Sequence, residues 1–110
     1  MIKYQYSTLV EKQIDRGAFE MIEKLRDTDI KVLIYLYKNG PCPIVYIVKG
    51  CNMSFATAYR SIHALKELKL ITEKPAKGNV RIIALSKWGN IVVEKLLEID
   101  AILHQAQEST

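Results

Sequence analysis

Apolar positions recur at helical spacing along most of this chain and give way to strand-like runs only once, between residues 70 and 85. Leu9, Val10, Ile14, Ala18, Met21, Ile22 and Leu25 keep a three- and four-residue rhythm, and Ser7 or Thr8 stands where a cap belongs. A first helix is therefore expected over about residues 7–25, weakened at Gly17. Thr28 can cap a second, in which Ile30, Val32, Leu33, Leu36 and Tyr37 are apolar nearly all round, as in a buried central element; Asn39-Gly40-Pro41 stops it. Pro41-Cys42-Pro43 must be extended or turning, because each proline biases its predecessor away from the helical region. Ile44 to Lys49 reads as a short helix ended by Gly50, although its β-branched residues would equally suit a strand.

The next segment favours the helical reading of residues 44–49. Cys51-Asn52-Met53 forms a short turn into Ser54, a good N-cap for a helix over about 54–69 with Ala58, Ile62, Leu65 and Leu68 in one apolar stripe. Two helices so joined make a helix-turn-helix. Leu70 to Lys74 and Val80 to Leu85 then suit two strands, and Gly78-Asn79 between them permits the positive φ angles of a tight hairpin. Ser86 caps a last helix over about 86–107, in which Val92, Leu96, Ile99 and Leu103 follow a four-three-four spacing, widened by Val93, Leu97 and Ile102. The expected fold class is thus mainly α with a small β-hairpin (α+β). No linker, repeat or low-complexity stretch interrupts residues 1–110, and a chain of 110 residues, about half apolar, suits one domain with one modest core.

Charge changes the picture through its position. The formal net charge of +4 is ordinary, but Arg60, Lys66, Lys69, Lys74, Lys77, Arg81 and Lys87 face only Glu67 and Glu73 between residues 60 and 87, a local net of +5. Such clustering fits a surface that neutralises phosphates better than one kept charged for solubility, which would be mixed in sign. A helix followed at once by a basic hairpin can reach both a DNA groove and the flanking backbone. With positions 58, 62, 65 and 68 buried, Phe55, Ala56, Thr57, Tyr59, Arg60, Ser61, His63 and Lys66 divide among the outer faces. Ala56, Thr57 and Ser61 keep the leading face small enough for the major groove, so that Arg60 can reach a guanine edge or a phosphate. The candidate DNA-binding set is Ser54, Ala56, Thr57, Tyr59, Arg60, Ser61, His63 and Lys66 on the helix, with Lys74, Lys77 and Arg81 on the hairpin. Against it stand plainer readings: Arg60 as half of a surface ion pair, and an edge hairpin kept soluble by its lysines. For Tyr59, a phosphate contact and simple core filling stand level.

These residues resemble the winged helix-turn-helix DNA-binding proteins, particularly the small prokaryotic regulators of the PadR, ArsR and MarR types, over roughly residues 28–90. Thr57-Ala58-Tyr59-Arg60-Ser61-Ile62-His63-Ala64-Leu65-Lys66-Glu67-Leu68-Lys69-Leu70-Ile71 looks like the family's recognition helix entering its first wing strand. Leu85-Ser86-Lys87-Trp88-Gly89 looks like the Leu-Thr-x-x-Gly that closes the wing. The resemblance implies a helix-turn-helix and wing over 28–85, with the wing proper at about 71–85. It also implies transcription control in the cytoplasm by a homodimer on a palindromic operator. Two departures stand out: Lys69 replaces the glycine that usually precedes the Leu-Ile pair, and the Asp-x-Arg wing tip of many MarR-type proteins is absent.

The last helix bears on assembly. Its apolar surface exceeds what its own domain can cover, so a homodimer is expected through Leu9 and Ile14 of the first helix and Val92, Leu96, Ile99 and Leu103 of the last. The alternative is that both helices fold back on their own core. Enzymatic chemistry finds little footing: His63 and His104 fall on separate helices, no nucleophile elbow or phosphate-binding glycine loop occurs, and Cys42, Cys51 and His63 match no zinc spacing. No metal and no cofactor is expected. No polar group is stranded in an apolar helix to mark an effector site, and no run approaches the roughly 20 apolar residues of a membrane span. A helix between the two cysteines would hold them roughly 13 Å apart, so no bridge is expected; as a thiol switch Cys51 is outweighed by its reading as a small hydrophobe. Three functions remain open: a sequence-specific regulator, a non-specific architectural chromosomal protein, and a winged-helix module that binds protein.

Overall fold

The computed structural model describes residues 10–109 except 13, 15, 16 and 18. Helices α1 (Asp27–Asn39), α2 (Ile44–Gly50) and α3 (Phe55–Glu67) are followed by strands β1 (Ile71–Pro75) and β2 (Arg81–Leu85) and by helix α4 (Lys87–Glu108). The expected mainly α fold with one hairpin is the fold observed. Ile71 to Pro75 pair antiparallel with Leu85 to Arg81, and Ala76 N donates to Val80 O at 2.8 Å, which leaves Lys77, Gly78 and Asn79 at the tip. Of the Gly78-Asn79 pair only the glycine takes a positive φ, +71°. Cys42 exchanges both backbone bonds with Ile83, so the Pro41-Cys42-Pro43 bend adds one residue of a third strand to β2.

The core is drawn from every element. Val32, Leu33 and Leu36 of α1 are buried against Ile47, Ile62, Leu65, Ile71, Ile83 and Val93, so α1 is the central helix its apolar pattern predicts. Its start differs from expectation. Thr28 is not the cap: the helix begins at Asp27, and the fully buried Asp29 carboxylate accepts from Arg26 N at 3.0 Å, Nε at 3.2 Å and Nη2 at 3.1 Å. A buried carboxylate is tolerable only with such donors, and these close the helix end as well.

The first helix also departs from the pattern. Residues 10–12 and 14 are helical, but the described residues between 17 and 21 form turns and Ile22–Lys24 is a single 3-10 turn. Gly17 at φ +87° and Phe19 at +75° cannot continue a right-handed helix, so the expected run to Leu25 ends where glycine permits reversal. Gly50, read as a helix stop, is instead the last residue of α2; a Cβ there would run into the Tyr35 ring. The reversal falls to Asn52 at φ +51°, with Met53 N bonded to Val48 O and Asn52 N to Lys49 O.

Candidate nucleic-acid interface

Helix α3 is set in place from both ends. Ser54 caps it, its Oγ accepting from Thr57 N at 3.1 Å, and the Arg26 guanidinium donates to the Arg60 carbonyl at 3.4 Å. At its C-terminus Leu70 N bonds Leu65 O and Lys69 N bonds Lys66 O, a Schellman closure that requires a left-handed residue. That residue is Lys69, at φ +64°, the position where the resemblance expects glycine. Ser86 fastens the hairpin's exit to the same turn: its Oγ donates to Lys69 O at 2.7 Å and its N to Leu70 O at 2.9 Å. Gly89 lies so near that a Cβ would meet the Leu70 carbonyl, which gives the Leu85-Ser86-Lys87-Trp88-Gly89 segment a physical meaning.

The stripe of Ala58, Ile62 and Leu65 is buried as expected, with Leu68 half-buried. Ser61, expected on the outer face, is fully buried, and its hydroxyl donates to Thr28 Oγ1 at 3.2 Å in the seam with α1. It is therefore removed from any groove-facing surface. Ala56, Tyr59, Arg60, His63 and Lys66 are exposed, and Thr57 is half-buried, its hydroxyl accepting from Arg60 Nη2 at 3.3 Å and from Ser54 Oγ at 3.0 Å. Tyr59 is 60% exposed and tilts against the exposed Phe55 ring with centroids 6.4 Å apart, so it does not fill the core.

Two concavities flank this helix. On the hairpin side, Tyr59, His63 and Lys66 line a cleft of about 420 Å³ with Glu73, Asn79, Val80 and Arg81. Inside it Lys66 Nζ lies 2.7 Å from Glu73 Oε1 and Arg81 Nε lies 2.9 Å from Glu73 Oε2. The hydrogen bond from Lys66, then its charge and the contacts of Arg81, hold the Glu73 carboxyl below its ordinary value against the opposing effect of burial. On the other side Lys24 and Arg26 meet Tyr59, Arg60, His63 and Ala64 around a shallow hollow. These two cations were missing from the sequence-derived set, since they lie more than 30 residues before Arg60 and only tertiary packing brings them alongside. Lys74 and Lys77 are exposed on the hairpin.

A different surface lies behind. Met21, Ile22, Leu25, Leu68, Leu70, Ile91, Val92, Leu96 and Ile99 line an apolar groove of about 380 Å³. Val92 and Leu96 are half-buried, whereas Ile99 is 52%, Leu103 58% and Ile102 65% exposed. Ile14 is exposed too, and Leu9 lies outside the described residues. Both cysteines are free and half-buried, and burial chiefly pushes each thiol up, so thiolate is scarce at neutral pH. Among the described residues no group of three or more His, Cys, Asp and Glu could hold a metal ion, and no helix is long and apolar enough to cross a membrane.

No protein-family model and no curated protein matches the chain. Solved structures do. MepR, a transcription regulator of the Staphylococcus aureus multidrug efflux pump MepA, is similar at a TM-score of 0.74 and 18% identity, over 99% of this chain and 83% of that one. A DNA complex of S. aureus MepR is similar at 0.70 and 19% identity, over 98% of this chain and 89% of that one. Bordetella bronchiseptica BpsR, whose DNA binding is regulated by 6-hydroxynicotinic acid, is similar at 0.69 and 22% identity, over 91% and 76%. At these identities the likeness is one of fold: among the described residues, helices α1 to α4 and a two-stranded hairpin in the winged-helix order.

Proposed function

We propose that this chain is a DNA-binding transcriptional regulator that acts as a homodimer, with α3 in the major groove and the hairpin, its wing, on flanking DNA. The observation that carries this reading is the exposed face of α3, with a cationic concavity on each side of it. Arg60 reads a base edge from the middle of that face, Ala56 and Thr57 permit close approach, and Tyr59 and His63 border the groove. Lys24, Arg26, Lys66, Lys74, Lys77 and Arg81 meet backbone phosphates on either side. Ser54 contributes as the cap that fixes the leading turn. Similarity to MepR and BpsR favours the MarR type among the three resemblances. A protein of this kind works in the cytoplasm and needs no cofactor or catalytic centre.

Homodimerisation is supported by the apolar groove of Leu25, Leu68, Val92 and Leu96 and by the exposed Ile99, Ile102 and Leu103 beyond it. A contiguous apolar surface of this kind marks an interface on a protein that stays soluble. The two roles of the DNA face separate by mutation. Arg60→Ala is expected to cost about 1–3 kcal/mol on a preferred site and to relax base preference there. Lys77→Ala is expected to weaken all sequences alike and lower the salt slope by about one. Fluorescence anisotropy titrations on preferred and scrambled duplexes at several salt concentrations measure both, and equal losses from the two variants on every duplex would contradict the assignment.

A further inference from the structure

Glu73 is an acid in the middle of a basic surface, and in a plain count of charge it works against DNA. Its geometry gives it another role. One carboxylate oxygen holds Lys66 of α3 at 2.7 Å and the other holds Arg81 of β2 at 2.9 Å, so a cation of the recognition helix and a cation of the wing are brought to one point. All three line the cleft between helix and wing. Without the carboxylate, two like charges on long side chains would separate into solvent, and binding would have to order them against repulsion. Stability is a weak reason for the arrangement, because both cations are about half exposed and exposed ion pairs add little.

Each cation keeps donors for a further acceptor. Arg81 reaches Glu73 through Nε, which leaves the Nη fork, and Lys66 gives Glu73 one of three ammonium hydrogens. We infer that Glu73 is a positioning residue that holds Lys66 and Arg81 as one preorganised pair, and that this pair grips a single backbone phosphate of duplex DNA between the recognition helix and the wing. The inference rests on the DNA-binding reading and deepens it: helix and wing are registered on the same phosphate, so the angle between them is fixed when DNA is bound. Tyr59 and His63 border the cleft, and Asn79 at the tip closes it.

Glu73→Gln tests this by sign. The variant removes one negative charge from the surface, and if charge alone mattered every duplex would bind more tightly. Positioning requires the reverse: binding at about 150 mM salt about tenfold weaker, with a salt slope shallower by about one as one phosphate contact is lost. Glu73→Asp keeps the charge but is one methylene too short to span both cations, and is expected to weaken binding in the same direction. Far-UV circular dichroism and thermal melting of each variant separate misfolding from misplacement. On a Lys66→Met, Arg81→Met background, where Glu73 has no cation to hold, the Gln substitution is expected to tighten binding slightly by removing an unpaired acid, the opposite sign from its effect in the wild type and an outcome that general unfolding would not produce. Replacing chloride by inorganic phosphate at constant ionic strength is expected to leave duplex binding unchanged; displacement at millimolar phosphate would assign the pair to a free anion and overturn the inference. Unchanged or tighter binding by folded Glu73→Gln would overturn the role of Glu73 alone. Wild-type protein that binds no duplex would overturn the DNA reading, and the inference with it.

Discussion

Lys69 and Gly89 stand at the two sides of one junction and exchange the usual preferences of their positions. Lys69 holds a left-handed backbone at φ +64° that glycine takes without steric cost, while Gly89 sits inside a helix, where alanine would ordinarily be favoured. Lys69→Gly is therefore expected to raise stability by about 0.5–1 kcal/mol, the relief of left-handed strain being partly offset by the freer unfolded chain. Gly89→Ala is expected to lower it by about 2 kcal/mol or more, because the added methyl meets the Leu70 carbonyl and the helix preference for alanine is too small to compensate. Urea denaturation of both variants checks the opposite signs. Ser61 shows where reading single residues fails. It lies three residues after Ala58 and four before Leu65, so the periodicity that marks the core includes it; its polarity alone placed it outside. A small hydroxyl is cheap to bury when a partner such as Thr28 Oγ1 is at hand, and nothing in a local window announces that partner.

At the scale of elements, α1, α3, the hairpin and α4 were legible because each carries a strong period and a clear stop. Ser54 and Ser86 cap α3 and α4 where expected, and their hydroxyls make the bonds that caps make. The first helix was not legible to its end: its apolar rhythm continues through Gly17 to Leu25, whereas the backbone reverses at Gly17 and Phe19. Periodicity reports a face to be buried and says nothing of a reversal that keeps the same residues apolar. The union of α3 with the wing through Glu73 was hidden for a related reason, since opposite charges at positions 66, 73 and 81 are recognised as partners only once the hairpin is folded onto the helix. That union has a pH signature. The folded carboxyl lies below its ordinary value of 4.5, so its contribution is fully present above that value and is lost as pH falls through the lowered one. Because both cations are about half exposed, the effect is small: wild-type stability is expected to fall slightly more steeply with acid than that of Glu73→Gln, as followed by chemical denaturation from neutral pH to below pH 4.5, and a steeper fall in Glu73→Gln would contradict the union.

For the whole molecule, the proposed DNA face and the apolar back are separate surfaces, and the proposed symmetric reading of DNA needs both. The proposed two-fold dimer through α4 would present two copies of α3 on one side of a duplex, and half-site spacing would then be set by the interface. The protein is expected to sediment as a dimer at micromolar concentration, and Ile99→Glu with Leu103→Glu to give a folded monomer, since neither side chain is buried in its own chain. A wild-type monomer in analytical ultracentrifugation would contradict the dimer. Selection from a random duplex library at about 150 mM salt, with sequencing of the retained fraction, tests the central claim most directly. A palindromic motif with half-site centres about 10 base pairs apart, or a multiple of that, is the expected result. Uniform retention of every sequence would contradict sequence-specific regulation in favour of an architectural role, and no retention even at low salt would contradict DNA binding itself.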